Sequence, residues 1–565
     1  MTNRGFFKAL PPWTMLAALA LPAFSATAAD PLPDYLTKSM EWKTSDGTLL
    51  RPIHVSLLPD GRLFFFEPAF AMTPSPFWVW RDEDLPDAVT VSPNDPPLVN
   101  HLPGVQYGQW HVADTISCSG HTFAEDGRLI VVGGTRLVSD GPPPWLEPGG
   151  SEDFGREDFA AIAGFSTAPA FSPATDSWST LPDMIGPGQA NFDDPGVRWY
   201  PTATRLASGE IMVTSGLALV LPTQIQNRSV EVYDPVSADW RILSQHQDTP
   251  AAIYNRDYSH VFQLPDSVAD TFDILMMGER GQPVLMSTAG PQRWQVRSRM
   301  RPGSEAAATP NHGTTTALLP IRLNADGGYS NGAIVMAGGQ HQTTLERSID
   351  VYDPMTDQWL PSIDMGIRRH HPSTILLPDS RILIMAGHND SGDNPGYAQY
   401  LDPSDGFSLT PGSVQMPETR GYHTVSALLP DGRIFPGGGN DDGKPGHEKP
   451  SFRYYYPDYM LKPRPNLLFT QTSFKLGDYF WVLTGDRTPI SEMVLVALGS
   501  MTHSYDMNQR LVELPIVYSG DYGEHSVQIG RAPISAEIAP PGDYMLFVLD
   551  AARVPSVAKV ITLTR

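Results

Sequence analysis

Cysteine is almost absent from this chain: Cys118 is the only one in 565 residues. No intrachain disulfide can form, so its thiol is either a small buried hydrophobe or has a chemical task. Positive charge is also scarce. Lys and Arg number 39 against 62 Asp and Glu, a net charge of −23. Nucleic acid is thereby disfavoured as a partner, because a phosphate backbone wants a basic face. Beyond the N-terminus no apolar run is long enough to span a bilayer. Turn residues, by contrast, are plentiful. The 55 prolines and 49 glycines are spread between short apolar runs, which points to an all-β protein with more than one core.

Residues 1–29 carry Arg4 and Lys8, then an apolar stretch broken by proline, then Ala26-Thr27-Ala28. That is the layout of a cleaved export signal, too short to serve as a membrane anchor. The mature chain is expected to be secreted or periplasmic. The string NRGFFK resembles a twin-arginine signal with Asn3 in place of the first arginine.

From residue 30 to 462 one unit recurs: a polar or His-bearing start, an apolar strand, a turn, a second strand, and often paired glycines. Examples are HVSLLPDGRLFFFEP at 54–68, HTFAEDGRLIVVGG at 121–134, HPSTILLPDSRILIMAG at 371–387 and HTVSALLPDGRIFPGGG at 423–439. Several units continue into an aromatic-Asp-Pro element followed by Trp, as in VYDPVSADW (232–240) and VYDPMTDQW (351–359). Seven units at spacings of about 50 to 80 residues predict a seven-bladed kelch-type β-propeller. Residues 463–565 lose the repeat and show about seven short alternating runs, which predicts an immunoglobulin-like β-sandwich. The roughly twenty residues between Asp30 and the first repeat leave no room for a separate sugar-binding domain.

Propeller strands that begin at the axis bring distant residues together. The strand starts place Cys118, Tyr200 (in RWYPTATRL) and Tyr422-His423 (in RGYHTVSALLPDGR) there, and the sandwich turn GSMTHSYDMNQRLVELP offers His503. Imidazole and phenolate suit copper(II), and a water or substrate would complete a tetragonal site. Each residue has a plainer reading too. A single cysteine is commonly a packed hydrophobe, a tyrosine a core residue with a satisfied hydroxyl, and His423 sits where other repeats also begin with His.

Taken in order, these motifs resemble the galactose oxidase and glyoxal oxidase family of copper radical oxidases. The resemblance covers both domains: the cysteine before the second GG strand, Arg198-Trp199-Tyr200, Tyr422-His423 before LLPDGR, Thr502-His503, and PGDYMLFVLDAARVPSVA at 541–558. It implies a thioether between Cys118 and the ring of Tyr200, formed with copper and oxygen, and a radical seated on Tyr200. It implies one copper ion held by Tyr200, Tyr422, His423 and His503, with Tyr422 as axial ligand and general base. A primary alcohol or aldehyde would be oxidised with O2 to give H2O2, and one site per chain would need no oligomeric partner.

Arg369, His370 and His371 are expected on the same face as substrate or supporting residues. Galactose oxidase has a tryptophan shortly after the third-blade glycines that stacks on the radical tyrosine; here the stretch is SGLALVLP (215–222). The shield must come from another blade, or the radical is less protected. This departure, with the missing sugar-binding domain, places glyoxal-like aldehydes and small alcohols beside galactose as substrates. Two Asp-rich stretches, 388–396 and 440–449, read as solvated loops rather than calcium sites. The rival from another class is a non-catalytic propeller binding a glycan or protein. A third reading is a copper-binding relative whose radical is inaccessible.

Overall fold

The computed structural model describes residues 40–41, 49, 51–66, 88–91, 99–101, 114–138, 161–186, 196–221 and 224–565, except 254–257, 278–280, 304–312, 342–343, 390–394, 416–417, 441–447 and 486. Residues 1–29, expected to be an export signal, and parts of both Asp-rich loops lie outside these residues.

The chain is all-β. Seven antiparallel sheets follow one another, opened by the strands His54–Leu57, Gly120–Phe123, Thr202–Arg205, His260–Val268, Thr315–Leu318, His370–Leu376 and Tyr422–Leu428. The opening strand of blade seven packs against that of blade one, which closes the propeller ring.

The repeated sequence signature has a local cause. In four blades the first turn is Asp60-Gly61-Arg62, Asp126-Gly127-Arg128, Asp379-Ser380-Arg381 or Asp431-Gly432-Arg433. Each Asp Oδ1 accepts the Arg backbone N–H at 2.9–3.2 Å, and each Oδ2 accepts Nε–H at 2.6–2.8 Å. The Tyr…Trp elements are cross-strand pairs, Tyr233 with Trp240 and Tyr352 with Trp359, with ring centroids 5.4 and 5.0 Å apart. The paired glycines mark close approach between blades. A Cβ on Gly133 or Gly338 would lie 2.4 or 2.3 Å from the carbonyl oxygen of Arg198 or Arg369 in the next blade. Any side chain there would push that blade's entry away from the axis.

The C-terminal part forms two packed sheets, with strand orders 467–470, 479–484, 525–531, 516–522 and 473–475, 559–564, 542–550, 490–497, 511–514. The strands outnumber the runs seen in the sequence because two runs divide. FTQTSFKL breaks between the sheets, and LVELPIVY changes sheet at Pro515, where no backbone N–H is available to the ladder. One hydrophobic core contains both Val55 and Val425 of the propeller and Val494 and Phe547 of the sandwich.

A hairpin from the sandwich joins the propeller. Ser500–Thr502 adds to the free edge of the blade-one opening strand, with His54 opposite Thr502 and Ser56 opposite Ser500. It also packs against the opening strands of blades two and seven. The hairpin tip, His503, is thereby delivered to the ring axis. Among the described residues no helix is long and apolar enough to cross a membrane.

Candidate metal centre

Four of the residues expected at the axis have left-handed backbone: φ is 65° at Cys118, 61° at Tyr200, 67° at His423 and 47° at His503. For a residue with a Cβ this conformation costs roughly 1–2 kcal/mol. Such strain persists only where surrounding contacts hold it, and it clusters at functional sites. It also breaks the alternation of a strand. Consecutive side chains that would point to opposite faces instead lie together: Trp199 stacks on Tyr200 with centroids 3.5 Å apart, and Tyr422 on His423 at 3.9 Å.

The polar ends of these side chains converge. Tyr200 Oη lies 2.7 Å from His503 Nε2 and is hydrogen-bonded to Tyr422 Oη. The rings of His423 and His503 meet edge-on, with centroids 4.4 Å apart. The Cys118 carbonyl accepts the Tyr200 N–H at 2.9 Å, which ties the two strand entries together.

Both imidazoles have a defined tautomer. Thr502 Oγ1 gives its proton to the Ile53 carbonyl at 2.9 Å, so in the 2.6 Å contact with His503 Nδ1 it must accept. His503 Nδ1 therefore carries the hydrogen, and Nε2 presents a lone pair to Tyr200. His423 Nδ1–H donates to Glu448 at 2.5 Å, and its buried Nε2 has no hydrogen-bond partner. A buried imidazole lone pair without a donor is an expensive arrangement unless an electrophile occupies it.

Burial sets the charge states. It raises the Tyr200 phenol well above its usual range, reinforced by Cys118 and Tyr422, and pushes the Cys118 thiol up to about 11. It holds His503 well below the usual imidazole value, helped by His423 and His54. Tyr200 is thus held as a phenol and His503 as a neutral imidazole, and a divalent cation would reverse the phenol's preference for the proton. Among the described residues no group of three or more His, Cys, Asp or Glu is arranged to hold a metal, so any metal here depends on the tyrosine oxygens.

Arg369 takes a different place. Its Nη1 donates to the Ala386 carbonyl at 2.8 Å, and its Nη2 to the carbonyl of Tyr397. Arg198 and Arg420 make the equivalent bonds to Ser215 and Gly438 at 2.6 Å. These buried arginines brace the strand entries that carry the axial residues. His371 meets Tyr422 edge-on at 5.3 Å, and His370 lies tilted against His371, centroids 4.1 Å apart, while pairing with His388 at 3.1 Å.

Four contributors were not legible as such. The aromatic against Tyr200 is its own neighbour Trp199, whose Nε1–H donates to Thr135 Oγ1 at 3.1 Å. The SGLALVLP stretch supplies backbone instead, with Leu217 pairing both ways with Trp199 at 2.7 and 2.8 Å. Glu448 comes from a stretch read as a solvated loop. His54 and His121, which look like ordinary repeat starts, are buried beside Cys118.

His121 also carries a pH dependence. Burial pushes it down to about 3, whereas an unfolded histidine titrates near 6.5. Its contribution is complete above pH 6.5 and is lost as the pH falls from there toward 3. Urea midpoints of the metal-free protein should drop across that window, and in His121→Gln the slope should be shallower by about 1.4 kcal/mol per pH unit. Equal slopes would show that His121 is not held neutral.

Residues 464–563 match the family model described as the galactose oxidase-like early set domain. A galactose oxidase from Gibberella zeae is 25% identical over 425 residues, covering 70% of this chain and 57% of that protein. The aldehyde oxidase GLOX of Vitis pseudoreticulata is 26% identical over 409 residues, covering 65% of this chain and 72% of that protein. The solved structure of a fungal alcohol oxidase of the AA5 family, in complex with copper, superposes with a TM-score of 0.67 at 18% identity, over 94% of this chain and 99% of the other. The matched part is little more than half the length of the galactose oxidase. Fold, C-terminal domain and relatives agree: the chain carries a galactose oxidase-like early set domain and is similar along most of its length to the galactose oxidase and glyoxal (aldehyde) oxidase family.

Proposed function

We propose that this chain is a copper radical oxidase that converts a primary alcohol or aldehyde and O2 to the aldehyde or acid and H2O2. The observation that carries the reading is the convergence of Tyr200 Oη, Tyr422 Oη and His503 Nε2, beside the unpartnered Nε2 of His423. Two imidazole lone pairs and two phenol oxygens form a donor set that fits copper(II). Copper, when bound, would supply a one-electron acceptor and favour the phenols' ionised form.

Tyr200, joined through a ring carbon to Cys118 Sγ, is the seat of the second oxidising equivalent. Tyr422 takes the hydroxyl proton of the substrate, and Tyr200 takes a hydrogen atom from its carbon. Dioxygen accepts the two electrons and two protons and leaves as H2O2, so the cycle balances. Trp199 covers the Tyr200 ring and limits its contact with water. A hydrated aldehyde reacts as an alcohol does. The names of the relatives, galactose oxidase and aldehyde oxidase, are consistent with this substrate class.

Intact mass tests the reading. Copper and air should leave the folded chain two hydrogens lighter, with the Cys118 thiol no longer titratable after denaturation; an unchanged mass and a free thiol in copper-loaded protein would refute it. Two further outcomes are expected. Glu448→Gln keeps a partner for His423 Nδ1–H but removes the charge, and should weaken copper binding about tenfold. Trp199→Ala should shorten the lifetime of the oxidised protein's radical signal with copper content unchanged, and an equal lifetime would mean that the stacked indole does not protect Tyr200.

A further inference from the structure

The backbone of Cys118 is held by a chain of buried side chains that the reaction itself does not use. The Cys118 N–H donates to His54 Nε2 at 2.9 Å. His54 Nε2 must therefore be the unprotonated nitrogen, and His54 Nδ1–H donates to His121 Nε2 at 3.0 Å. His121 in turn carries its hydrogen on Nδ1, which lies 2.5 Å from Ser500 Oγ. Ser500 belongs to the hairpin that carries His503, and its N–H is bound by Asp506 at 2.8 Å. The three side chains are essentially excluded from solvent. Each link fixes the direction of the next, so a single pattern of protons satisfies the chain from the hairpin to Cys118.

Cys118 needs this restraint. Its backbone is left-handed, its carbonyl is committed to the Tyr200 N–H, and its thiol must meet one edge of one ring. Relaxing to an extended conformation would turn the side chain away from Tyr200. The His54 acceptor is the side-chain bond that pins the amide on the opposite side of the strained residue.

We propose that His54, oriented by His121 and Ser500, is a positioning residue that holds Cys118 in the conformation required for its cross-link to Tyr200. The inference rests on the thioether reading above. In that step the Sγ–H and a ring C–H bond are broken and an Sγ–C bond is formed. Two electrons and two protons pass to dioxygen, with copper as mediator, giving H2O2. His54 exchanges no electron or proton with the reacting atoms; it sets where the sulfur lies.

The test compares His54→Gln with His54→Asn in full-length protein. The Gln side chain can place an oxygen near the position of Nε2 and accept the Cys118 N–H. Asn reaches only to Nδ1 and leaves that N–H unpaired. Cross-linking is followed by intact mass and by thiol titration in denaturant after addition of copper(II) in air. Copper stoichiometry and the urea midpoint are measured on the same samples.

The Gln variant should cross-link at close to the parent rate, and the Asn variant about tenfold or more slowly, with copper bound by both. Cross-linking of the Asn variant at the parent rate would overturn the role of His54 and leave the oxidase reading standing. Absence of the cross-link in the copper-loaded parent would overturn both. Ser56 Oγ also lies 3.3 Å from His121 Nδ1, so should the Asn variant fail to fold, the double variant Ser56→Ala/Ser500→Ala decides. It keeps both histidines but removes both hydroxyl partners of the His121 proton that orders them, and a rate equal to the parent's would again refute the proposal.

Discussion

Cys118→Ala should bind copper like the parent protein and lose oxidase turnover by roughly a thousandfold. The two expectations separate because the residue is not among the metal-facing donors. Tyr200 Oη, Tyr422 Oη and the two imidazoles remain where they are, and only the sulfur against the Tyr200 ring is removed. The loss is in redox chemistry. An unmodified buried phenol, already held well above its usual range by burial, is harder to oxidise than one carrying a thioether. The stability change should be small, since alanine tolerates the site's burial and the Cys118 N–H to His54 bond is a backbone feature. The measurement is peroxide release with copper content determined on the same sample. Undiminished turnover would exclude Cys118 from the cofactor.

His503→Ala should act on the metal itself. Copper affinity is expected to fall by at least about a hundredfold, beyond what loss of a supporting residue does. Here the sequence distance is large and the spatial reason is specific. His503 is at the tip of a sandwich hairpin that completes blade one, with Nδ1–H held by Thr502 so that Nε2 points to Tyr200. Removing the ring leaves Tyr200 Oη without its 2.7 Å partner, so the variant tests the metal site and its geometry together. A protein with normal copper content would mean that the sandwich contributes no ligand. The strand pairing of Ser500–Thr502 with His54–Leu57 does not use the imidazole, so the hairpin should stay docked.

The propeller was readable because its repeat has a mechanical origin. The Asp-x-Arg turn recurs since the same two hydrogen bonds close it in four blades, and GG recurs since a neighbouring carbonyl leaves no space for a side chain. Cys118, Tyr200, Tyr422 and His423 were legible as chemistry-bearing residues at the ends of such units, and His503 as one in the sandwich turn. Trp199 stands directly beside Tyr200 in the sequence, yet nothing there marks it as the stacking aromatic. In a regular strand neighbours face opposite ways, and only the left-handed backbone at Tyr200 turns the two rings onto each other. Periodicity carries no sign of that kink.

Glu448 was hidden for another reason. Acidic, lysine and histidine residues in a glycine-rich stretch look alike whether they face water or a buried imidazole, and only the 2.5 Å approach to His423 distinguishes this one. His54 and His121 were masked by resemblance to their own repeats, because His also opens blades four and six, at His260 and His371. Arg369, expected as a substrate or supporting residue, donates at a strand entry to the carbonyls of Ala386 and Tyr397. Buried arginines that brace backbone and arginines that bind substrate have the same signature in sequence.

The most direct test of the account is peroxide release from the copper-loaded protein, offered galactose, glyoxal, methylglyoxal, glycolaldehyde and simple primary alcohols in turn. The expected result is turnover on at least one of them that requires copper and disappears in Cys118→Ala. A chain that binds no copper, keeps a free thiol and releases no peroxide from any of these would contradict the oxidase and leave a propeller built for binding.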